Sequence, residues 1–431
     1  MRTIRLNRGF NELAYKDVSA KIRPETAMLQ NTNNTPTIQV LEQNFDFDLL
    51  TPAKLLEKYL GKKVTIIKRH PTSGEESSKS ATVLSVVNGV VLKIDDRIET
   101  GIPDRIAFPN VPSNLRDKPT LVMHLNSSTN EEQKVELSYL TAGLSWKADY
   151  VAEINEKEKH VNLTGWVTLT NKSGTPYNNA KLQLVAGDVN TIPDQRYKYP
   201  AAARKVLRSR SMARNQTMKE EDLFEYHLYT LNRKTTLSNY QTKQVSLLTA
   251  DAIPVHKELI LTGQENFYMN RMDKLGKILK VAVYIKFTND DNSKLGKPLP
   301  KGIVRVYKSD LAGSPQFIGE DQIDHTPRKG EVALKLGESF DVTAKKVQTN
   351  FEQKRGDSQY DYFYKAAFMI ELKNAKDIGQ EVIVRELIPG DWSIEKSSHK
   401  HLKAAAHTAE WKLKVPKNGK TVLTYSVRVR H

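Results

Sequence analysis

The chain has 431 residues, no cysteine, and 66 lysines and arginines against 50 aspartates and glutamates, which gives a formal net charge of +16. Without cysteine it contains no disulfide framework and no thiolate-bound zinc or iron–sulfur centre. Its 39% hydrophobic residues suffice for a folded core, its length predicts two to four domains, and it has no run of the ~20 apolar residues that a membrane-spanning helix needs.

Residues 1–50 are predicted to form β-strands, because apolar and polar side chains alternate from the first residues onward. Met1–Leu13 has no run of 7–15 apolar residues, which the central part of a secretory signal peptide requires. We therefore expect no export signal in the sequence as written.

Residues 51–117 are predicted to form one short helix and a small β-barrel. The helix prediction covers Pro52–Leu60, with Thr51 as N-cap and a glycine after the last turn. Lys62–Pro109 contains several short alternating runs and the hairpin dipeptide Asn88-Gly89. Four or five short strands after one helix favour an SH3-like barrel, a fold that does not itself define a function.

Alternating strands that end in asparagine at a turn occur three times, at Gly165–Asn171, Val283–Asn289 and Phe368–Asn374, and each is followed by a returning strand. Such units are typical of immunoglobulin-like β-sandwiches. We expect one sandwich over 118–345 and a second over 346–431, in a multi-domain, all-β chain.

A surface insertion is predicted at 195–239, where the alternation stops, with a short helix around Glu220–Tyr229. Basic residues without acidic ones fill its first half, and acidic residues follow directly. It is either a solvated loop or an arm that binds anions or nucleic acid through 195–219. The candidate anion-binding residues are Arg204, Lys205, Arg208, Arg210, Arg214 and Lys219.

No phosphate-binding loop or metalloprotease motif is present, and we expect no cofactor. His399, His401 and His407 form the densest histidine cluster. The first two would share a strand face and offer a metal site, but a surface hairpin is the alternative that we favour. The aromatic run Tyr360–Tyr364 is either an exposed stacking surface or, as we favour, a buried ladder.

Three aspartates at strand ends, Asp149, Asp188 and Asp391, are candidates for a catalytic carboxylate pair. We favour the alternative that each is a turn residue accepting backbone hydrogen bonds. Trp146 and Trp166 lie in alternating strands and are predicted to anchor the core rather than to stack on sugars.

Three segments carry a resemblance to a known family: residues 137–150 with 162–190, Ile22–Thr26 and Ile388–Trp392. The first begins LSYLTAGLSWKADY and continues GWVTLTNKSGTPYNNAKLQLVAGDVN. It resembles an uncharacterised bacterial family, a domain of unknown function in exported proteins that is distantly similar to the mucoidy inhibitor A proteins. The resemblance implies a β-rich periplasmic or envelope protein without known catalytic residues. It also implies a signal segment and a first strand before Met1.

These observations predict a non-enzymatic, envelope-associated binding or structural protein. An enzyme acting on cell-surface polysaccharide through strand-end carboxylates is the first alternative, and anion or nucleic-acid binding by the basic insertion is the second. The expected partners are an envelope protein, a polysaccharide or an anionic lipid surface. We expect no specific nucleic acid and no transmembrane segment.

Overall fold

The computed structural model confirms the all-β prediction, with 64% strand and 4% helix. It describes residues 1–32, 37–46, 49–101, 105–112, 115–190, 218–272, 276–293, 295–355 and 362–430. Within these residues no helix has the length and hydrophobicity that a bilayer crossing requires.

The elements of the first part of the chain are β1 Arg2–Arg5, β2 Gly9–Lys16, β3 Met28–Asn31, β4 Ile38–Asp46, α1 Pro52–Lys58, β5 Lys63–Arg69, β6 Glu76–Ser85, β7 Val91–Ile94, β8 Arg97–Thr100, β9 Arg105–Ala107, β10 Thr120–Ser127, β11 Glu132–Ser138, β12 Leu144–Ile154, β13 His160–Asn171, β14 Tyr177–Ala180 and β15 Gln183–Ala186. Those of the second part are β16 Lys219–Leu223, β17 Tyr226–Thr230, β18 Thr235–Leu237, β19 Thr242–Pro254, β20 His256–Thr262, β21 Lys277–Thr288, β22 Gly302–Ser309, β23 Pro315–Ile323, β24 Glu331–Arg355, β25 Tyr362–Asn374, β26 Gln380–Leu387, β27 Asp391–Ser397, β28 Leu402–Ala405, β29 Thr408–Val415 and β30 Gly419–Arg430. Two 3₁₀ turns lie at Pro24–Thr26 and Glu265–Tyr268.

The chain forms two compact units. Unit 1 contains Met1–Ser145, Thr170–Ala180 and Thr235–Lys243, and unit 2 contains Trp146–Leu169, Lys181–Lys234 and Gln244–His431. The division into four domains made from the sequence stays a prediction, as does the immunoglobulin-like topology.

Unit 1 contains the predicted helix. The Thr51 hydroxyl accepts a hydrogen bond from the Lys54 backbone N–H at 3.2 Å, which is the expected N-cap. The helix packs Leu56 onto a five-stranded sheet of order β8-β7-β6-β5-β9. The predicted closed barrel is wrong: among the described residues, β8 and β9 pair only with their inner neighbours. These edge strands are four and three residues long, too short to wrap around and meet.

Two three-stranded sheets, β1-β11-β3 and β2-β10-β4, complete the larger part of unit 1. Leu121, Met123 and Leu125 of β10 are fully buried at alternate positions, and Val135 of β11 packs into the same cluster. The two sheets therefore share one apolar core, as the strand alternation predicts.

Unit 2 contains a small sheet where the sequence analysis placed a helix. Glu220–Tyr229 forms the hairpin of β16 and β17, with Phe224 at φ 58° in its turn. Strand β17 also pairs with β15, so that Tyr229 lies opposite Leu184 and both are buried. The helix prediction is wrong because this cross-strand burial outweighs the local preference of an acidic run.

The largest sheet of unit 2 has nine strands, in the order β27-β30-β25-β24-β21-β20-β26-β29-β28. It curves over its own core, because Trp411 of β29 lies 4.8 Å ring to ring from Tyr425 of β30, although five strands separate them in the sheet. Trp411 and Trp392 are buried, at 0% and 6% exposure. Trp146 and Trp166, which the sequence analysis expected in the core, are only half-buried.

The three asparagine turns form one recurring structure, which we call the asparagine corner. Asn171 is the last residue of β13, Asn289 directly follows β21, and Asn374 is the last residue of β25. All three side chains are buried. Each donates from Nδ2 to three backbone carbonyls. The acceptors are Thr175, Leu237 and Ser238 for the first, Lys297, Thr326 and Pro327 for the second, and Ile378, Val415 and Pro416 for the third.

Candidate functional site

Of the six candidate anion-binding residues, the structure describes Lys219. Arg204, Lys205, Arg208, Arg210 and Arg214 lie outside the described residues. Lys219 is described at the start of β16, where it is exposed and its ammonium lies 3.8 Å from Glu221. Anion binding by this segment stays a proposal.

The three candidate aspartates lie on different elements and pair with different cations. Asp149 is buried and accepts hydrogen bonds from Thr168, Lys147 and Arg305 at 2.9, 3.1 and 3.2 Å. Burial acts to raise the pKa of Asp149, but these hydrogen bonds outweigh it and leave the pKa lowered. This carboxylate is therefore an acceptor in a polar network, not a proton donor poised for acid catalysis.

Asp188 and Asp391 are also paired. Asp188 is exposed after β15 and contacts Lys301 at 2.8 Å, a hydrogen bond that lowers the pKa of Asp188. Asp391 begins β27 and contacts Arg430 at 2.9 Å. The described contacts bring no two of the three aspartates onto a common partner.

The histidine cluster lies in loops rather than on one strand face. His399 and His407 are exposed, and His401 packs 5.9 Å from the Trp411 ring. The surface-hairpin interpretation fits this placement better than the metal site. Of the aromatic run, Tyr360 lies outside the described residues, and Tyr364 stacks on Phe351 across β24 and β25 at 5.5 Å.

A cleft in unit 2 brings together polar groups that the sequence analysis did not connect. It encloses about 290 Å³, near the lower end of the range for ligand pockets. Its walls are the end of β15, strand β17, the loop at 298–300 and the segment at 325–327. We call it the histidine cleft, because His227 and His325 both line it.

His325 supplies a hydrogen-bond donor to this cleft. Its Nδ1 accepts from the Lys301 backbone N–H at 3.3 Å, so a neutral ring carries its proton on Nε2. Burial and the Lys301 charge lower the pKa of His325, which favours that neutral form. Nε2 is buried and has no hydrogen-bond partner among the described residues. A buried donor of this kind usually has a partner, so this N–H is an unsatisfied group in a residue that lines the cleft.

His227 supplies the complementary acceptor. Its Nδ1 lies 2.9 Å from a Glu220 carboxylate oxygen and 3.3 Å from one of Asp222. Carboxylates only accept, so Nδ1 carries a proton, and Nε2 is an acceptor when the ring is neutral. The β-hairpin explains the contact, because Asp222 lies directly opposite His227 in the register.

The same three side chains could also hold a metal ion. One ligand atom from each of Glu220, Asp222 and His227 lies within 4.8 Å of the others. A cation would have to displace the Nδ1 proton that joins the group. Asp222 is 88% exposed and Glu220 18%, so the donors are carboxylate oxygens and one imidazole at the surface.

The remaining groups shape the cleft. Tyr229 donates to the Pro298 carbonyl at 2.8 Å and fixes the loop that bears Pro298 and Pro300. Gly187 has no side chain there, and a Cβ would lie 2.4 Å from the Tyr226 ring. Asp188 and Glu225 line the cleft, and Asp188 is paired with Lys301. The arrangement offers two imidazoles, two carboxylates and an apolar proline surface.

Sequence reasoning missed both histidines. The alternation of Tyr226, Leu228 and their neighbours carried a signal for His227, since it indicates a strand rather than a helix. His325 has no such signal, because its role depends on the Lys301 backbone and on strands distant in the chain.

Comparison with protein families matches residues 135–431 to a family described as a domain of unknown function (DUF4139). The matched residues include all of unit 2, and with it the histidine cleft. No curated protein and no solved structure matches the chain.

Proposed function

We propose that this chain, which belongs to the DUF4139 family, is a non-enzymatic binding protein of the bacterial envelope that takes a polysaccharide segment into the histidine cleft. The observation that carries the proposal is the pair of imidazoles that line one cleft, one of which, His325, has a buried Nε2 without a hydrogen-bond partner among the described residues. A sugar hydroxyl both donates and accepts, so it can satisfy the two rings together.

The size and surface of the cleft support the same ligand class. About 290 Å³ accommodates one or two sugar residues of a longer chain. Prolines 298, 300 and 327 present C–H groups to the apolar face of a sugar ring, and the carboxylates of Asp188 and Glu225 accept hydrogen bonds from sugar hydroxyls. The resemblance to bacterial exported proteins supports the envelope location.

Binding is tested by calorimetry of the full chain with a polyuronate, a neutral glucan and peptidoglycan fragments. We expect the neutral glucan to bind more tightly than the polyuronate, whose carboxylates would face Asp188 and Glu225, and His325→Phe to weaken glucan binding about tenfold, the value of one hydrogen bond. His256→Phe is the matched control, because His256 is an exposed strand histidine outside the cleft.

The enzyme alternative is tested in the same samples. Release of reducing ends by the wild-type chain, abolished in Asp188→Asn, would replace the binding proposal with a polysaccharide-cleaving activity. Equal affinity in the His325 variant and its control would show that the ligand occupies another surface.

A further inference from the structure

A second group of interacting polar side chains lies inside the nine-stranded sheet of unit 2. Lys346 on β24 donates to a Glu386 carboxylate oxygen on β26 at 2.7 Å. Tyr268 donates to the same oxygen at 2.7 Å, and its hydroxyl lies 2.8 Å from that of Tyr425. We call these four residues the buried quartet, since their exposures are 0, 0, 0 and 3%.

Aromatic rings enclose the lysine. Its Nζ lies 4.3 Å from the centre of the Phe368 ring, 4.6 Å from Phe267 and 5.0 Å from Tyr268. The second carboxylate oxygen of Glu386 is buried and has no hydrogen-bond partner among the described residues. A fully charged carboxylate with one dry, unpaired oxygen is an expensive arrangement.

A glycine in the backbone beside Lys346 and Glu386 leaves space for their side chains. Gly263 lies so close that a Cβ would come within 2.0 Å of a Glu386 carboxylate oxygen. Burial lowers the pKa of Lys346 more than the nearby Glu386 raises it, so this amine loses a proton more readily than an exposed lysine does. Transfer of one Nζ proton to Glu386 converts the ion pair into an amine and a carboxyl group, the reactive pair for amide formation.

The reacting atoms are already close. Nζ lies 2.7 Å from Oε2, and the carboxyl carbon is one C–O bond, about 1.2 Å, beyond it. Nζ is therefore within about 4 Å of that carbon, close to the separation from which bonds form in well-oriented intramolecular reactions. The aromatic enclosure also excludes the water that would reverse the reaction.

We propose that Lys346 and Glu386 form an intramolecular amide bond, which joins β24 to β26 covalently. The neutral amine attacks the carboxyl carbon; the C–N bond forms and one C–O bond breaks. The departing oxygen leaves as water, with the proton of the carboxyl group and one proton from Nζ. The Tyr268 hydroxyl donates to Oε2 and so stabilises the negative charge that develops on this oxygen.

The test is the mass of the full-length, denatured protein. We expect it to be lower than the sequence mass by one water molecule. Dehydration elsewhere is distinguished by trypsin, which does not cleave after an acylated lysine. The digest should then contain one branched peptide that joins residues 346–354 to residues 386–396.

Two variants complete the test. Lys346→Arg removes the nucleophilic amine and should restore the full sequence mass. Lys257→Arg is the matched control, because Lys257 is also paired with a glutamate, Glu158, but at the surface; its mass should still be lower by one water. A wild-type chain at full sequence mass, with residues 346 and 386 in unbranched peptides, overturns the proposal and leaves an ion pair held by aromatic rings.

Discussion

Truncation of one asparagine corner should destabilise unit 2 by a predictable amount. The Asn374 Nδ2 donates to the Ile378 and Pro416 carbonyls at 2.9 and 3.0 Å, and its Oδ1 accepts from the Lys376 backbone at 3.0 Å. The third carbonyl, of Val415, is 3.5 Å away and contributes little. Two good donor bonds in a partly buried corner, at roughly 1 to 1.5 kcal/mol each, predict that Asn374→Ala costs about 2–3 kcal/mol.

The assay follows the protein's own fluorescence. All four tryptophans of the chain lie within unit 2, so urea unfolding measured by tryptophan emission reports on that unit alone. Asn350→Ala is the matched control, because Asn350 lies exposed on β24 and its amide bonds only to surface Glu352. A loss of about 2–3 kcal/mol for Asn374→Ala corresponds to a melting temperature lower by roughly 4–10 °C.

A charge-changing variant at the same corner separates hydrogen bonding from packing. Asn374→Asp keeps the shape but directs a carboxylate at carbonyl oxygens, so the pKa of the new group should be raised in the folded state. Its stability should therefore improve as the pH falls and the acid regains one donor. Equal stability of Asn374→Ala and the Asn350 control, or no pH dependence of Asn374→Asp, would refute the reasoning.

Three further predictions concern charge and packing. Burial acts to raise the pKa of Glu158, but hydrogen bonds and charges from two lysines lower it to about 2 from the ordinary 4.5. The stability that the charged Glu158 contributes is therefore complete above pH 4.5 and is lost as the pH falls toward 2. Glu158→Gln should make stability depend less on pH in this range, whereas the exposed control Glu156→Gln should not. Trp411→Ala should cost about 3–5 kcal/mol in thermal or urea unfolding, and the half-buried Trp166→Ala distinctly less. The wild-type chain should bind DNA and anionic vesicles only weakly, and physiological salt should suppress this binding. Replacing the six basic residues of 204–219 by Gln should remove it. Submicromolar DNA binding at physiological salt would contradict the envelope proposal.

The asparagine corners could be predicted from the sequence only in part. Period-2 strands that end in Asn before a turn predict both the strand end and the turn at Asn171, Asn289 and Asn374, and the structure confirms all three. The pattern does not identify the acceptors, because Leu237 and Val415 come from strands that only the tertiary fold brings near.

The alternation of side chains along a strand also predicts which lysine faces the core. Lysines in alternating strands usually occupy the solvent face, as Lys412 and Lys414 do. Lys346, however, shares its parity with Val342 and Ala344, which are buried. Because side chains alternate between the two faces of a strand, residue 346 faces the same side as residues 342 and 344 unless the register shifts. The sequence therefore predicts that Lys346 points toward the core.

Glu386 follows the same rule, since it shares its parity with the buried Val382 and Val384. Sequence can therefore predict that two opposite charges point into a β-sheet core, but not that they meet. Their meeting depends on the strand order β24-β21-β20-β26 and on the curvature that brings the strands' inner faces together.

The asparagine corner of Asn171 accounts for the discontinuous composition of unit 1. Its side chain bonds to the Leu237 and Ser238 carbonyls, and β14 pairs with β18 beside it. These contacts join Thr170–Ala180 to Thr235–Lys243. These are the two segments of unit 1 that lie between segments of unit 2 in the sequence. A single amide can do this because it presents two N–H donors on a short side chain, whereas serine or threonine offers one. The same physical requirement, several strand-end carbonyls that need donors at one buried point, explains why Asn289 and Asn374 occupy equivalent corners in unit 2.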